Sequence, residues 1–165
     1  MILIAYDGSD DAKAAIEQAS KLFPGEQAAI LTVWQRFIDT MARVGGGLGV
    51  IVDFDEIDQD AKRAAADNAE EGSALARDAG LDARARTAVV ETTIAEAILA
   101  EAAAIDASVV VCGSRGFTGV KSLMLGSVSH HLLQHADLPV VVVPSPAVAQ
   151  ARAEHRKSLR QSPVN

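Results

Sequence analysis

The chain has 165 residues, the length of one ordinary domain; 49% are apolar and only 4% aromatic, so any core must be built from Ala, Val, Ile and Leu. The apolar share excludes a disordered chain, and valine-rich runs with glycines disfavour a coiled coil. The net charge of −7 is uneven: after Pro144 stand Arg152, Arg156, Lys157 and Arg160 against Glu154 (+3), which leaves −10 on the first 144 residues, a poor surface for nucleic-acid phosphates.

The opening, Met1–Asp7, lacks the basic region and cleavage site of a signal peptide and reads as a strand, Ile2–Tyr6. Ala12, Ala15, Ile16, Ala19 and Leu22 then recur at helical spacing behind Ser9 and Asp10, either of which can cap, and Pro24-Gly25 stops the helix. Ala28–Val33 is a second strand. Ala61, Ala64, Ala65, Asn68, Ala69, Gly72 and Leu75 mark a long helix ending near Gly80. In the third strand, Ala83–Val90, Arg84 and Arg86 alternate with small residues, which predicts a sheet edge. Thr93-Ile-Ala-Glu96 is a capping box opening a helix through Ala104. Ser108–Cys112 is a fourth strand, a helix follows from about Gly126 to Ala136, and Pro139 introduces the fifth strand, Val140–Val143. The first, fourth and fifth strands are continuous apolar runs, as expected where both faces are buried, and all are too short to span a bilayer.

This alternation predicts an α/β fold, a five-stranded parallel sheet with helices on both faces and right-handed crossovers. Ligands in such sheets sit beyond the carboxyl ends of the strands where strand order reverses, so the loops after strands 1, 2 and 4 are the places to search. Two segments fit no element. Trp34–Asp53 is a loop of roughly twenty residues whose Gly45–Gly49 tract reads as a lid or as disorder. Ser145–Asn165 is a basic tail, disordered or weakly helical, suited to an acidic partner or simply solvated.

The chemistry concentrates after the fourth strand, in Gly113-Ser-Arg-Gly116-Phe-Thr-Gly119-Val-Lys121-Ser-Leu-Met-Leu-Gly126-Ser127. Glycines let backbone amides approach an anion closely, and a helix amino end adds free N–H groups and a favourable dipole. Ser127 offers a hydroxyl, Arg115 and Lys121 charge. The physical reading is a phosphate cradle. It is not a Walker A loop, because no Gly-Lys-Ser/Thr ends it, nor a dinucleotide fingerprint, which would follow the first strand. There stands Ala5-Tyr6-Asp7-Gly8-Ser9, whose acid is placed to hold a ribose or a magnesium ion, or to serve the helix start.

The spacing Gly113-x2-Gly116-x9-Gly126-Ser127 resembles the nucleotide-binding pattern of the universal stress protein (UspA-like) family, ATP-binding branch. Ile2–Ser9 resembles that family's first strand and acidic loop, and Ser127-Val-Ser-x6-His135-Ala-x2-Pro139-Val-Val-Val-Val its last helix and strand. The match makes residues 1–144 a nucleotide-binding domain and leaves 145–165 as an addition. The resemblance implies a Rossmann-like sheet of order 3-2-1-4-5 and a homodimer through the fifth strand, Val140–Val143. It also implies ATP or another adenine nucleotide, with Mg2+, between the ends of strands 1 and 4. Carried over by position, Asp7 holds ribose or magnesium-bound phosphate, and Ala5 and Val33 lie near the base or sugar. The amides around Gly113, Ser114, Arg115, Gly116, Gly126, Ser127 and Val128 take the phosphates, with the Ser127 hydroxyl on a terminal one. Two departures stand out. Glu91-Thr92-Thr93 replaces the family's glycine-containing turn and brings a carboxylate that disfavours a triphosphate. Trp34 stands where smaller or polar residues are common, filling core or touching the nucleotide.

Elsewhere the plain readings lead. His131 and His135 have the i, i+4 spacing of a helical metal pair but no third ligand, and positive charge near a helix carboxyl end is favourable anyway. Cys112 closes an apolar strand as a small buried hydrophobe, with a redox role the alternative; alone, it makes no internal disulfide, and no Cys/His set has zinc spacing. No catalytic set is legible. The expectation is a small cytoplasmic ATP-binding stress-response regulator acting through nucleotide occupancy and partner or dimer contacts, with slow hydrolysis or autophosphorylation at most. A phosphohydrolase or nucleotidyl-transfer enzyme on the same fold and an interaction module with an empty site are the alternatives. The intact small residues favour an occupied site, since close approach of a ligand or backbone is what requires them.

Overall fold

The computed structural model describes residues 1–44, 54–116 and 125–161. Strands β1 (Ile2–Ala5), β2 (Gln27–Trp34), β3 (Asp82–Val89), β4 (Val109–Gly113) and β5 (Val140–Val143) form one sheet of order β3-β2-β1-β4-β5. Every pairing is parallel, and Ile2 of the central β1 sits in register with Ala28 on one side and Val109 on the other. The helices are α1 (Asp10–Leu22), α2 (Phe37–Val44), α3 (Phe54–Asp78), α4 (Ile94–Ala104), α5 (Ser127–His135) and α6 (Pro146–Gln161). The expected fold class and strand order are those observed.

Successive strand residues point to opposite faces, so each buried strand feeds two cores. Ile2, Ile4, Tyr6, Val109 and Val111 pack with Ile16 of α1 and Ala76 of α3. Leu3, Val110 and Cys112 pack on the other face with Ile98 of α4 and Leu132 of α5. Alanine supplies the helix sides of the first layer: Ala12, Ala15 and Ala19 in α1, Ala65, Ala69 and Ala76 in α3 are all buried. Such small side chains bring the helix axes close to the sheet, which is why so few aromatic residues suffice. β3 takes the edge with Arg84 and Arg86 exposed.

Two of the expected starts are capped by the expected hydroxyls, while Glu96, expected to complete a reciprocal box at Thr93, turns its carboxylate to His131. Ser9 accepts a hydrogen bond from the Ala12 amide (3.2 Å), and Thr93 from the Glu96 amide (3.1 Å). The Glu96 carboxylate meets His131 Nε2 at 3.0 Å, tying α4 to α5.

The structure corrects the segment expected to be one long loop, Trp34–Asp53. Trp34 closes β2, and Phe37–Val44 form α2, where Phe37, Met41 and Val44 carry a helical spacing that the glycine tract behind them obscures. The Phe37 amide donates to Asp58 (2.6 Å) and its ring lies 5.8 Å from that of Phe54, which fixes α2 against α3. Gly45–Gly49 and Lys121 lie outside the described residues. After β5 the chain enters α6, whose start is seated by the buried Ser145 and Val148; Pro146 is suited to a first helical position, where an N–H is dispensable.

Candidate functional site

Chain order reverses at β1, which lies between β2 and β4, and a cleft opens beyond the carboxyl ends of these strands. It holds a cavity of about 340 Å³, within the range of small-molecule sites. One wall is apolar: Ala5, Leu31, Val33, Ile94, Ile98 and Val128. The other carries Tyr6, Asp7, Gly113, Arg115, Gly116, Gly126, Ser127 and Ser129, a mixture of backbone, hydroxyl and charge.

Asp7 is held by the residue before it. The Tyr6 amide donates to the Leu31 carbonyl (2.8 Å), and the Tyr6 carbonyl accepts the Thr32 hydroxyl (2.9 Å). The Tyr6 hydroxyl donates to Glu71 at 2.9 Å; burial first, and then this carboxylate, hold the phenol pKa well above its ordinary value. Asp7 then turns, accepting the Ser9 amide on Oδ1 (3.0 Å). Its other oxygen faces Gly116, where a Cβ would stand only 2.5 Å from Oδ2. Glycine at 116 therefore lets the loop and the carboxylate meet.

Across the cavity, α5 begins without a side-chain cap. Gly126 is the N-cap residue, extended at φ −68° and ψ 160°, and the first turn contains no acid. Amides in a helix's first turn have no intrahelical acceptor, and the helix dipole favours an anion there. Arg115 lies beside this end with its Nε 3.9 Å from the Asp11 carboxylate.

Nine of the ten expected site residues line the cavity: Ala5, Asp7, Val33, Gly113, Arg115, Gly116, Gly126, Ser127 and Val128. Ser114 does not. It is fully buried beneath the loop, its hydroxyl donating to Asp11 at 2.7 Å. Gly113 also has a reason unrelated to any ligand, because a Cβ there would lie 2.8 Å from Asp11 Cβ and 3.0 Å from the Ala12 nitrogen. Of the two reasons expected for these small residues, approach of a ligand or of backbone, Gly113 meets the second, since it admits α1. Trp34 is half-buried and outside the lining, and Glu91 borders a separate groove with Ala97 and Glu101, away from the cavity. Burial pushes the Cys112 thiol up to about 12, so it stays protonated and unreactive at neutral pH. The His131 and His135 rings lie against each other, tilted by 37°, with centroids 4.2 Å apart.

Sequence reading missed Tyr6, Leu31, Ile94, Ile98 and Ser129. A signal was present for three of them: Leu31 shares a strand face with Val33, and Ile94 and Ile98 are one helical turn apart directly behind the Thr93 cap.

The model of the universal stress protein family matches residues 1–144, so α6 lies beyond the matched part. Universal stress protein YxiE of Bacillus subtilis is 34% identical over 145 residues, which cover 86% of this chain and 97% of that protein. Among solved structures, hypothetical protein MJ0577 superposes with a TM-score of 0.69 at 23% identity, covering 87% of this chain and 94% of the other. The universal stress protein from Archaeoglobus fulgidus in complex with dAMP superposes with a TM-score of 0.54 at 19% identity, covering 86% and 95%.

Proposed function

The chain belongs to the universal stress protein family, and from that premise we propose that it is a regulator that binds an adenine nucleotide, ATP with Mg2+ among them, and acts by occupancy rather than turnover. The observation that carries this reading is the uncapped amino end of α5 facing Gly116 and Asp7 across the cavity. The phosphates go to the amides around Gly116, Ser127 and Val128, with the Ser127 hydroxyl and Arg115 beside them. The apolar wall of Ala5, Val33, Ile94 and Ile98 takes the base and sugar, and Asp7 meets the ribose or a nucleotide-borne magnesium ion. Oriented amides and a helix dipole bind an anion without net positive charge, so an acidic body is compatible with a phosphate ligand. The relative from Archaeoglobus fulgidus solved with dAMP supports an adenine nucleotide.

Two further parts belong to the proposal. β5 is the outer strand of its side of the sheet, and Val140–Val143 present an apolar edge suited to a second copy. In the cytoplasm such a dimer would pass nucleotide occupancy to a protein partner. Among the described residues no helix is long and apolar enough to cross a membrane.

A thermal-shift titration with ATP–Mg2+, AMP and GTP tests the reading. At one hundred times the dissociation constant a ligand adds about 2.7 kcal/mol of stability. The adenine nucleotides are expected to raise the melting temperature, and Gly116→Val or Ser127→Glu to remove most of that rise while leaving a folded domain. No shift with millimolar ATP or AMP overturns it.

A further inference from the structure

We propose that Asp11 is a positioning residue for this site: a buried carboxylate outside the cavity lining that fixes the loop and helix end taking the phosphates. The proposal rests on the nucleotide reading above for its consequence, but not for its geometry.

Asp11 lies in the first turn of α1 and is 5% exposed. A buried carboxylate is tolerated only where its charge is answered. Here the answers are the amino end of α1, the Ser114 hydroxyl at 2.7 Å and Arg115 Nε at 3.9 Å. Ser114, with no exposure, is the branch point of the site. Its amide donates to the Val143 carbonyl (2.7 Å), and its carbonyl accepts both the Gly126 amide (2.8 Å) and the Ser129 hydroxyl (3.1 Å). The Arg115-Gly116 segment therefore departs from Ser114, and the open end of α5 hangs from the same residue's carbonyl. Asp11 holds this branch point from the opposite layer, and the missing Cβ of Gly113 lets it come close enough to do so. Loss of the carboxylate leaves a buried hydroxyl without its acceptor and frees the branch point to shift, moving both halves of the phosphate site together.

The test uses the full chain and AMP as probe, by calorimetry, with Asp11→Ala, Asp11→Asn, Ser114→Ala and the double Asp11→Ala/Ser114→Ala variant. Each alanine variant is expected to weaken AMP about tenfold, the double no more than either single, and Asp11→Asn, which keeps an acceptor, by less than about threefold. Amide hydrogen exchange on the ligand-free protein supplies the second readout, with the Ile30 amide of the interior strand β2 as reference for global opening. The Gly126 amide should exchange faster relative to Ile30 in Asp11→Ala and normally in Asp11→Asn. Unchanged AMP affinity in both alanine variants, additive losses in the double variant, or unchanged Gly126 protection each overturns the positioning role. A wild-type protein that binds no AMP instead overturns the nucleotide reading, and the exchange measurement still decides on Asp11.

Discussion

Helices α1 and α5 both start at the carboxyl edge of the sheet, one after β1 and the other after β4, yet α1 closes its own amino end while α5 leaves its end open. Ser9 accepts the Ala12 amide, and Asp10 and Asp11 place negative charge in the first turn of α1, where the dipole favours it. At α5 the cap is glycine with no side chain to accept an amide, the Ser129 hydroxyl donates to its carbonyl (3.0 Å), and the first turn holds no acid. Glycine is itself a tolerated N-cap, only a few tenths of a kcal/mol poorer than Ser or Asp, so α5 gives up little stability by carrying no side chain there. Of two similar junctions, one carries its own side-chain cap, and the other, with none among the described residues, opens beside the cavity, where the proposed anion would gain most.

The largest expected effect comes from breaking the seat of the closed end. In Gly113→Val the new Cβ falls within 2.8 Å of Asp11 Cβ and 2.9 Å of the Asp11 carbonyl carbon. Backbone cannot yield as a flexible side chain can, and stability should fall by about 3 kcal/mol in urea unfolding. An unfolding midpoint like that of the wild type would mean that α1 is free to shift away from β4. Next in size, Gly126→Asp gives α5 a cap of the kind α1 has. A gain of a few tenths of a kcal/mol in stability should accompany an AMP affinity lower by about tenfold, or 1.4 kcal/mol. Nucleotide binding that survives this closure would show that the open end is not where the phosphates go. Ser9→Ala makes the reverse change: loss of the α1 cap should cost about 1 kcal/mol, with AMP affinity kept within about twofold. If affinity drops in parallel with stability, the two helix ends are not separate in function.

The same contrast explains how far the sequence could be read. Apolar runs such as Val109–Val111 announce buried strands because both faces of a central parallel strand are covered, and Arg84 and Arg86 mark the edge because only an edge strand reaches solvent that way. Ser9 and Thr93 reveal their caps because capping is local, within three residues. The glycine loop is legible for a related reason: a loop built mostly of backbone is recorded in its glycine spacing. What escapes is anything set by distant contact. Asp11 and Ser114 are 103 residues apart and meet only when α1 packs on β4, so helical spacing sets Asp11 rather than Asp10 on the face of Ala15 and Ala19 but cannot name its partner. At Gly113 the sequence leaves approach of a ligand or of backbone open for the same reason, since the atoms that exclude a side chain there belong to α1. Glu91 seemed to threaten the site because it precedes α4 in sequence, but it lies along the groove it shares with Ala97 and Glu101, not in the cavity lining.

The smallest expected effect tests what holds the open end in place. α4 supplies Ile94 and Ile98 to the apolar wall and α5 supplies Ser127 and Ser129 to the polar one, and His131 Nε2 and Glu96 Oε1, 3.0 Å apart, join the two helices across the surface. Both side chains are partly exposed, and a pair of that kind contributes about 0.5 kcal/mol or less. His131→Ala should therefore lower stability by no more than that. AMP affinity should change by less than about twofold, because exposed pairs of this strength position little and the first turn of α5 is fixed from beneath, through the Gly126 amide and Ser129 hydroxyl on the Ser114 carbonyl. A tenfold loss of AMP binding in His131→Ala would place the control of that helix end in α4 rather than in the layer containing α1. Retained binding, beside a loss in Asp11→Ala, would assign it to the closed helix: the end that satisfies itself would then be what holds the other one open.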